Sequence, residues 1–260
     1  MSVYPQLVSG VISQFPLVKT RVLRTIENTA ADGSTVKLAD PAGELTGWRL
    51  EYTNLSDVEI GALEQFFCDM EGSLNGFTFL DPAANLLAWS EDLTNSVWQA
   101  DPFLRVAGGA ADFFGGNSAW QLTNSGSGTQ GITQALNAPT AYTYCFSVYA
   151  FSSQATNVQL SLGNNLMTTS LSQRWSRLNI VGKADAAADA VVLGVQLPPG
   201  ASIVVFGPQV EAQMAPSTYK VGTSGGVYCR ARFRDDVLSL TSTDVNRGSV
   251  TVNIVYANSL

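Results

Sequence analysis

The chain has 260 residues, three cysteines, no histidine and a net charge of −7, with 45% hydrophobic but only 13% charged residues. Its length allows one large β domain or two of ordinary size, its apolar fraction excludes a disordered chain, and its charged fraction is about half the ~25% usual for soluble domains. The missing histidine excludes His-based triads, His metal sites and imidazole acid–base chemistry, and the acidic balance disfavours nucleic-acid binding, which needs a basic face against phosphate.

Charge is unevenly spread. Residues 1–84 hold 5 Lys/Arg against 11 Asp/Glu, residues 85–224 hold 5 against 7, and residues 225–260 hold 4 against 3, so the acidic excess belongs to the N-terminal third. Cys68, Cys145 and Cys229 are far apart and lack CxxC spacing, which predicts reduced core thiols rather than a disulfide framework. No apolar run approaches the ~20 residues that cross a bilayer. Residues 1–10 lack the basic-then-apolar order of a secretory signal, so synthesis and folding in a cytoplasm are expected.

Residues 17–26 alternate by two and carry β-branched side chains, which predicts a half-buried strand. A turn at Ala31-Asp32-Gly33-Ser34 returns the chain into residues 35–38 as a hairpin, and residues 47–52 alternate again. Ser56 with Glu59 three residues later reads as a capping box. Val58, Leu63, Phe66, Phe67 and Met70 then fall near helical spacing on one face, and Gly72 supplies the stop. The phenylalanine pair reads as core rather than binding site. Residues 77–80 form a short strand, closed by Asp81-Pro82.

From Asn85 to about Tyr219 the composition shifts to Ser, Thr, Asn, Gln, Ala and Gly, with short strands separated by turn clusters, a β-sandwich pattern. The best strands are residues 141–151, 158–162, 174–181, 191–197 and 202–210, while residues 184–190 read as a loop. Gly108-Gly109 and Gly115-Gly116 are turns, since neither precedes the lysine and helix of a phosphate loop. Residues 221–225, within the small-residue run Val221 to Gly226, read as a flexible linker. Residues 227–233 alternate, a turn follows at 234–236, and residues 237–240 and 249–257 continue as strands. A tail of this length is too short to fold alone and must complete another domain.

The segment Asn54-Leu55-Ser56-Asp57 through Glu64-Gln65-Phe66-Phe67, then Gly72 and Gly76-Phe77-Thr78-Phe79-Leu80-Asp81-Pro82, resembles the bacteriophage distal-tail and minor tail proteins. So do the earlier strand Phe15-Pro16-Leu17-Val18-Lys19-Thr20-Arg21-Val22 and the tryptophan strand Gly47-Trp48-Arg49-Leu50. The family's closing segment stands here as Tyr228-Cys229-Arg230-Ala231-Arg232-Phe233-Arg234-Asp235-Asp236, more than 140 residues on, which implies an insertion. The inserted stretch is similar to carbohydrate-binding jelly rolls through Asn85-Leu86-Leu87-Ala88-Trp89-Ser90-Glu91-Asp92, Trp98, Tyr142 to Tyr149, Gln173 to Leu178, Phe206 to Glu211 and Pro216 to Tyr219.

The resemblances imply a mainly β protein. Residues 1–83 and 226–260 would form a split β-barrel or β-sandwich tail domain with one helix, and residues 85–220 an inserted jelly-roll sandwich. They further imply a non-enzymatic component of a siphovirus-like tail tip or baseplate. It would assemble with itself as a ring, by expectation a hexamer, between the tail tube protein and the hub or baseplate proteins, located in the virion and displaying a domain for host-surface glycans. An acidic ring would suit a conduit for DNA. The alternatives are a minor tail protein whose jelly roll is structural decoration, and a secreted carbohydrate-binding module.

Glu91-Asp92 and Asp235-Asp236 are sequence neighbours that cannot share one strand face, so turn roles are expected and no catalytic residue is named. No cofactor or metal is expected, although the jelly-roll resemblance would permit a calcium ion near Glu91 or Glu211. Sugar binding on a β-sandwich uses aromatic faces with neighbouring amides and hydroxyls. The candidates are Trp98, Trp120, Tyr142 and Trp175; the last two also match framework positions of the fold, as does Tyr144.

Overall fold

The structure, a computed structural model, describes residues 2–184 and 188–257. Strands β1 (Leu17–Thr29) and β2 (Thr35–Ser56), helix α1 (Asp57–Asp69) and strand β3 (Phe77–Leu80) come first. Next are β4 (Trp98–Ala100), β5 (Leu104–Ala110), β6 (Ala119–Asn124), β7 (Gln130–Leu136) and β8 (Thr143–Phe151). Then come β9 (Thr156–Leu162), β10 (Asn165–Leu171), β11 (Ser176–Lys183), β12 (Val191–Leu197) and β13 (Ser202–Glu211). The chain closes with β14 (Val227–Phe233), β15 (Leu240–Asp244) and β16 (Arg247–Ala257). It divides into two compact units, one of Met1–Val8, Ile12–Phe79 and Tyr228–Leu260, the other of Ser9–Val11 and Leu80–Val227.

In the first unit one sheet runs β1-β2-β16-β14-β3, with β15 on β16. The antiparallel register sets Ile254 against Trp48 and Val252 against Leu50, so alternate side chains of β2 and β16 share one face. That face is buried: Trp48, Leu50, Val252 and Ile254 are each at most 2% exposed. Tyr4, Phe66, Phe77 and Phe233 close the core as a ring cluster, with centroids 5.0 to 6.4 Å apart. The Tyr52 hydroxyl, 2.9 Å from that of Tyr4, donates to the Ile12 carbonyl at 2.8 Å, so neither buried phenol is left unpaired. Burial holds the Tyr52 phenol above its ordinary range.

Helix α1 begins on the expected capping box, with Ser56 Oγ accepting from Glu59 N and Glu59 reaching back to Ser56 N. Leu63 and Met70 are buried and Phe66 and Phe67 half-buried, but Val58 is 75% exposed. Five residues separate Val58 from Leu63, about 140° around a helix of 3.6 residues per turn, so the two cannot share a face. Cys68 is likewise exposed, five residues beyond Leu63, and Cys229 is half-exposed, so only Cys145 is a core thiol.

The largest departure from expectation is β1. It forms the hairpin through Ala30 to Ser34, yet every residue after Leu17 is exposed. Beyond the bulge between Val22 and Arg24 it pairs only with residues 35–40 of β2, and β16 reaches along β2 no further than Leu45. Alternation correctly marks a strand but cannot say whether its apolar face is covered.

The second unit holds two five-stranded antiparallel sheets, ordered β10-β9-β12-β7-β4 and β11-β8-β13-β6-β5. From β6 to β13 the chain crosses between them at every connection except the β9–β10 hairpin, which makes eight strands of a jelly roll with β4 and β5 added at the edges. Leu122, Phe146, Val148, Leu160, Leu193 and Val205 fill its interior, each at most 1% exposed. Strands β4 to β7 and β10 escape the sequence pattern: β5 carries Gly108 and Gly109, and β10 is a polar, largely exposed edge. The loop expected at 184–190 lies partly outside the described residues.

The stretch Val221 to Gly226, expected to be a flexible linker, is tied down within this unit. Gly222 N donates to Ser90 Oγ and Ser90 N to the Gly222 carbonyl, both at 2.8 Å, and Trp89 N donates to the Thr223 carbonyl. A Cβ on Gly222 would stand 2.1 Å from the Leu87 carbonyl oxygen, so glycine serves close backbone approach here rather than freedom.

Candidate functional site

The outer face of the β11-β8-β13-β6-β5 sheet carries a group of aromatic side chains, Tyr149, Phe151, Phe206 and Trp175. Residues opposite one another in antiparallel strands share a face. Val148, Ala150 and Val205 turn inward, so Tyr149, Phe151 and Phe206 turn outward. The register writes two rows across this face. One is Arg177, Tyr149 and Phe206; the other is Phe151, Val204 and Gln121. Trp175, just before β11, extends the second row, its ring 4.8 Å from that of Phe151. With strands ~4.8 Å apart, this row spans about 15 Å from β11 to β6.

The first row is covered by the chain itself. Phe113 stacks on Tyr149 at 4.5 Å, Phe114 meets Tyr149 and Phe206 edge-on at 5.9 Å, and the Arg177 guanidinium lies 5.2 Å from the Tyr149 centroid. Phe113 and Phe114 stay 44% and 62% exposed, forming an aromatic ridge beside the second row. Asp112 anchors their loop, its carboxylate accepting from the amides of Phe114 at 2.8 Å, Gly116 at 3.0 Å and Ser118 at 3.1 Å. Burial alone would raise this carboxyl, but the three amides outweigh it and hold it below the ordinary aspartate value. A depressed folded value stabilises the loop above the unfolded pKa of about 4 and loses that contribution as pH falls through the folded value. Hydrogen exchange should therefore show the Phe114, Gly116 and Ser118 amides protected at pH 5 to 7 and released only as the pH falls below the ordinary aspartate value. Asp112→Asn keeps an accepting oxygen for Phe114 and Gly116 but turns an NH2 toward Ser118 N, so it should release the Ser118 amide at neutral pH.

Alongside the second row, beyond the end of β8 and the start of β13, lies a cavity of about 560 Å³, lined by Gln121, Ser152 to Thr156 and Pro199 to Ser202, with no charged side chain. Gln121 Nε2 donates to Ser202 Oγ at 3.1 Å, and Ser202 Oγ is 2.9 Å from Thr123 Oγ1. Ser152 Oγ donates to the Ser202 carbonyl, and Gln173 Nε2 to the Ser153 carbonyl, so both walls are fixed.

Of the four expected sugar-binding aromatics, Trp175 alone stands on this row. Trp98 belongs to the opposite sheet, is 8% exposed and spends its Nε1 on the Trp89 carbonyl, so it offers no stacking face. Trp120 is half-buried over Gly108, where a Cβ would stand 2.9 Å from its ring, and donates Nε1 to the Glu91 carbonyl. Tyr142 is half-buried in the turn before β8. Phe151, Gln121 and Gln154 were not singled out from sequence, although Phe151 shares the parity of Tyr149 in a strand that was expected.

The acidic residues serve structure. Asp92 accepts from Thr94 N and Oγ1, and Asp236 from Ser73 N and Oγ. Glu211, 4% exposed, accepts from Ser217 N at 2.9 Å, Gln209 Nε2 at 2.8 Å and Lys220 Nζ at 3.3 Å, pinning the segment after β13. Glu91 accepts from the Tyr219 hydroxyl. Among the described residues no three His, Cys, Asp or Glu side chains converge as metal ligands. The Cys145 thiol is pushed up to about 12, by burial first and then by Glu211, which makes it a poor nucleophile.

No family model and no curated protein matches the chain. Among solved structures it is similar to the xylan-binding CBM22-1 domain of Paenibacillus barcinonensis Xyn10C, at 15% identity over 51% of this chain and 98% of that one, with a TM-score of 0.41. It is similar to the tandem CBM22-1-CBM22-2 domain of the same protein, at 18% identity over 65% of this chain and 61% of that one, TM-score 0.43. A third similar structure is the enzymatically active domain of tailspike protein 4 of bacteriophage CBA120, at 12% identity over 51% and 22% of the two chains, TM-score 0.37.

Proposed function

We propose that the protein is a structural component of a bacteriophage tail tip, a distal-tail ring element without catalytic activity. Its first unit would self-assemble between tail tube and hub or baseplate, and its second would present a sandwich to glycans of the host surface. The motifs between Phe15 and Pro82 and between Tyr228 and Asp236 support the tail assignment. The observation that carries self-assembly is the β1–β2 ribbon. Val22, Leu23, Ile26, Val36 and Leu38 are 42 to 67% exposed on it, and β1 has no strand on its outer side among the described residues. The charges of β1, Lys19, Arg21, Arg24 and Glu27, can blunt this edge in a monomer but do not cover these apolar side chains. Thirteen residues at ~3.4 Å each make a ribbon ~44 Å long, so its two faces offer roughly 800 Å² per copy, the size of a standard specific interface. A groove lined by Val18, Val22, Leu45, Trp48 and Val255 adjoins it. Closed cyclic symmetry would cover every such edge at once.

Light scattering and negative-stain images of the full chain should show closed rings, with six copies expected. Ile26→Lys combined with Leu38→Glu places charge on the exposed face without touching the core and should convert rings to monomers. Wild-type protein that stays monomeric up to about 100 μM, a concentration at which an interface of this size is occupied, would remove the proposal's support.

A further inference from the structure

We infer that the row Trp175, Phe151, Val204 and Gln121, together with the cavity alongside it, is one binding site for a neutral saccharide chain, with sugar rings along the row and a chain end in the cavity. This rests on the proposal that the second unit binds glycans, and names where it does so and which class it takes. A sugar ring offers two kinds of surface, C–H faces that pack on aromatic rings and a rim of hydroxyls that needs donors and acceptors. The row supplies the first through Trp175 and Phe151, whose paired rings are both half-exposed. The cavity supplies the second through Gln121, Gln154, Ser153 and Thr156.

Charge selects the class. Neither the row nor the cavity lining carries an ionisable side chain. Of the cations on the adjoining rows, Arg177 is already committed to the Tyr149 ring, the Ser217 carbonyl and Ser147 Oγ, and Arg105 stands opposite Thr123, outside the cavity lining. A uronate or sialate carboxylate would lose water here and gain no counter-charge from the row or the cavity lining. Neutral hydroxyls meet amides instead. The cavity's 560 Å³ lies within the ~300–1,000 Å³ of small-molecule sites. Gln121 is oriented in advance by Ser202, so less side-chain freedom is lost on binding. The outer face of the other sheet presents Gln99, Thr133, Gln159 and Thr168 without an aromatic ring, so it lacks the stacking half of the site.

The test is calorimetric titration of the full chain with cellohexaose, laminarihexaose and chitohexaose as neutral probes and hexagalacturonate as the acidic one. At least one neutral hexasaccharide should bind and hexagalacturonate should not. Trp175→Ala should weaken that binding about tenfold and Trp175→Phe less than threefold, the range of one aromatic contact. Ala155→Trp, at an exposed position on the cavity rim, should also weaken it about tenfold while leaving the thermal midpoint unchanged. Neutral binding untouched by both Trp175→Ala and Ala155→Trp overturns the site while glycan binding stands. Preference for hexagalacturonate overturns the class alone. Silence with all four probes overturns glycan binding and the inference with it, leaving the sandwich as structural decoration.

Discussion

Replacing Trp48 with alanine should cost the first unit about 3–5 kcal/mol, the range for removing a large buried aromatic. Trp48 is 2% exposed on β2, 4.9 Å from the Phe79 ring and 4.8 Å from that of Tyr228, and opposite Ile254 in register. Its side chain thus joins β2, β3, β14 and β16, which arrive from both ends of the chain, and no single neighbour can collapse into the space it leaves. The indole Nε1 is buried without a hydrogen-bond partner, a group that costs free energy where it stands. Trp48→Phe removes that donor along with only part of the volume, so it should cost clearly less than Trp48→Ala. Denaturant unfolding with amide exchange on β2, β3 and β16 checks both. Equal costs for the two variants would mean the indole nitrogen finds a partner, and a loss under 1 kcal/mol for alanine would mean the site relaxes around the hole.

Local chemistry was the readable part of the fold. The Ser56 and Glu59 capping box, the Asp32-Gly33 turn and the Asp81-Pro82 strand end are set by neighbours in sequence, and the structure has each where the pattern puts it. The mainly β class with one helix, and the sandwich strands of residues 141–151, 191–197 and 202–210, were legible because a half-buried or buried strand writes its burial into its side chains. The exposure of β1 was not, since Val18, Val22 and Ile26 alternate as well on an uncovered ribbon as on a core strand. Burial is a property of what lies opposite.

The candidate site was legible only at Trp175. Aromatic identity alone could not separate Trp98, whose nitrogen is spent inside the sandwich, from a side chain on its outer face. What assembles the row is register, Phe151 beside Val204 and Val204 beside Gln121, and register between strands some fifty to eighty residues apart leaves no mark in a single sequence. Gln154 is an ordinary loop amide until the residues 199–202 turn is set across from it.

Asn85→Ala should destabilise the second unit by about 3–5 kcal/mol, as much as losing a core aromatic, although the side chain is small and polar. Asn85 is 1% exposed and uses all four of its hydrogen-bonding positions. Nδ2 donates to the Pro208 carbonyl at 2.9 Å and the Lys220 carbonyl at 3.2 Å, while Oδ1 accepts from Leu87 N at 3.1 Å and Val210 N at 3.0 Å. One amide therefore clamps the strand end of β13 to the segments that enter and leave the jelly roll, where the main chain runs without a ladder of its own. Alanine strands two donors and two acceptors, each worth about 1–3 kcal/mol when buried and unpaired, less whatever water recovers. Asn85→Asp separates the clamp from mere volume. It keeps the shape and both accepting positions but turns a donor into a charged oxygen facing two carbonyls, so at neutral pH it should be no better than alanine. A denaturant midpoint for Asn85→Asp close to wild type, with an unchanged slope, would show that packing rather than the four hydrogen bonds holds this junction.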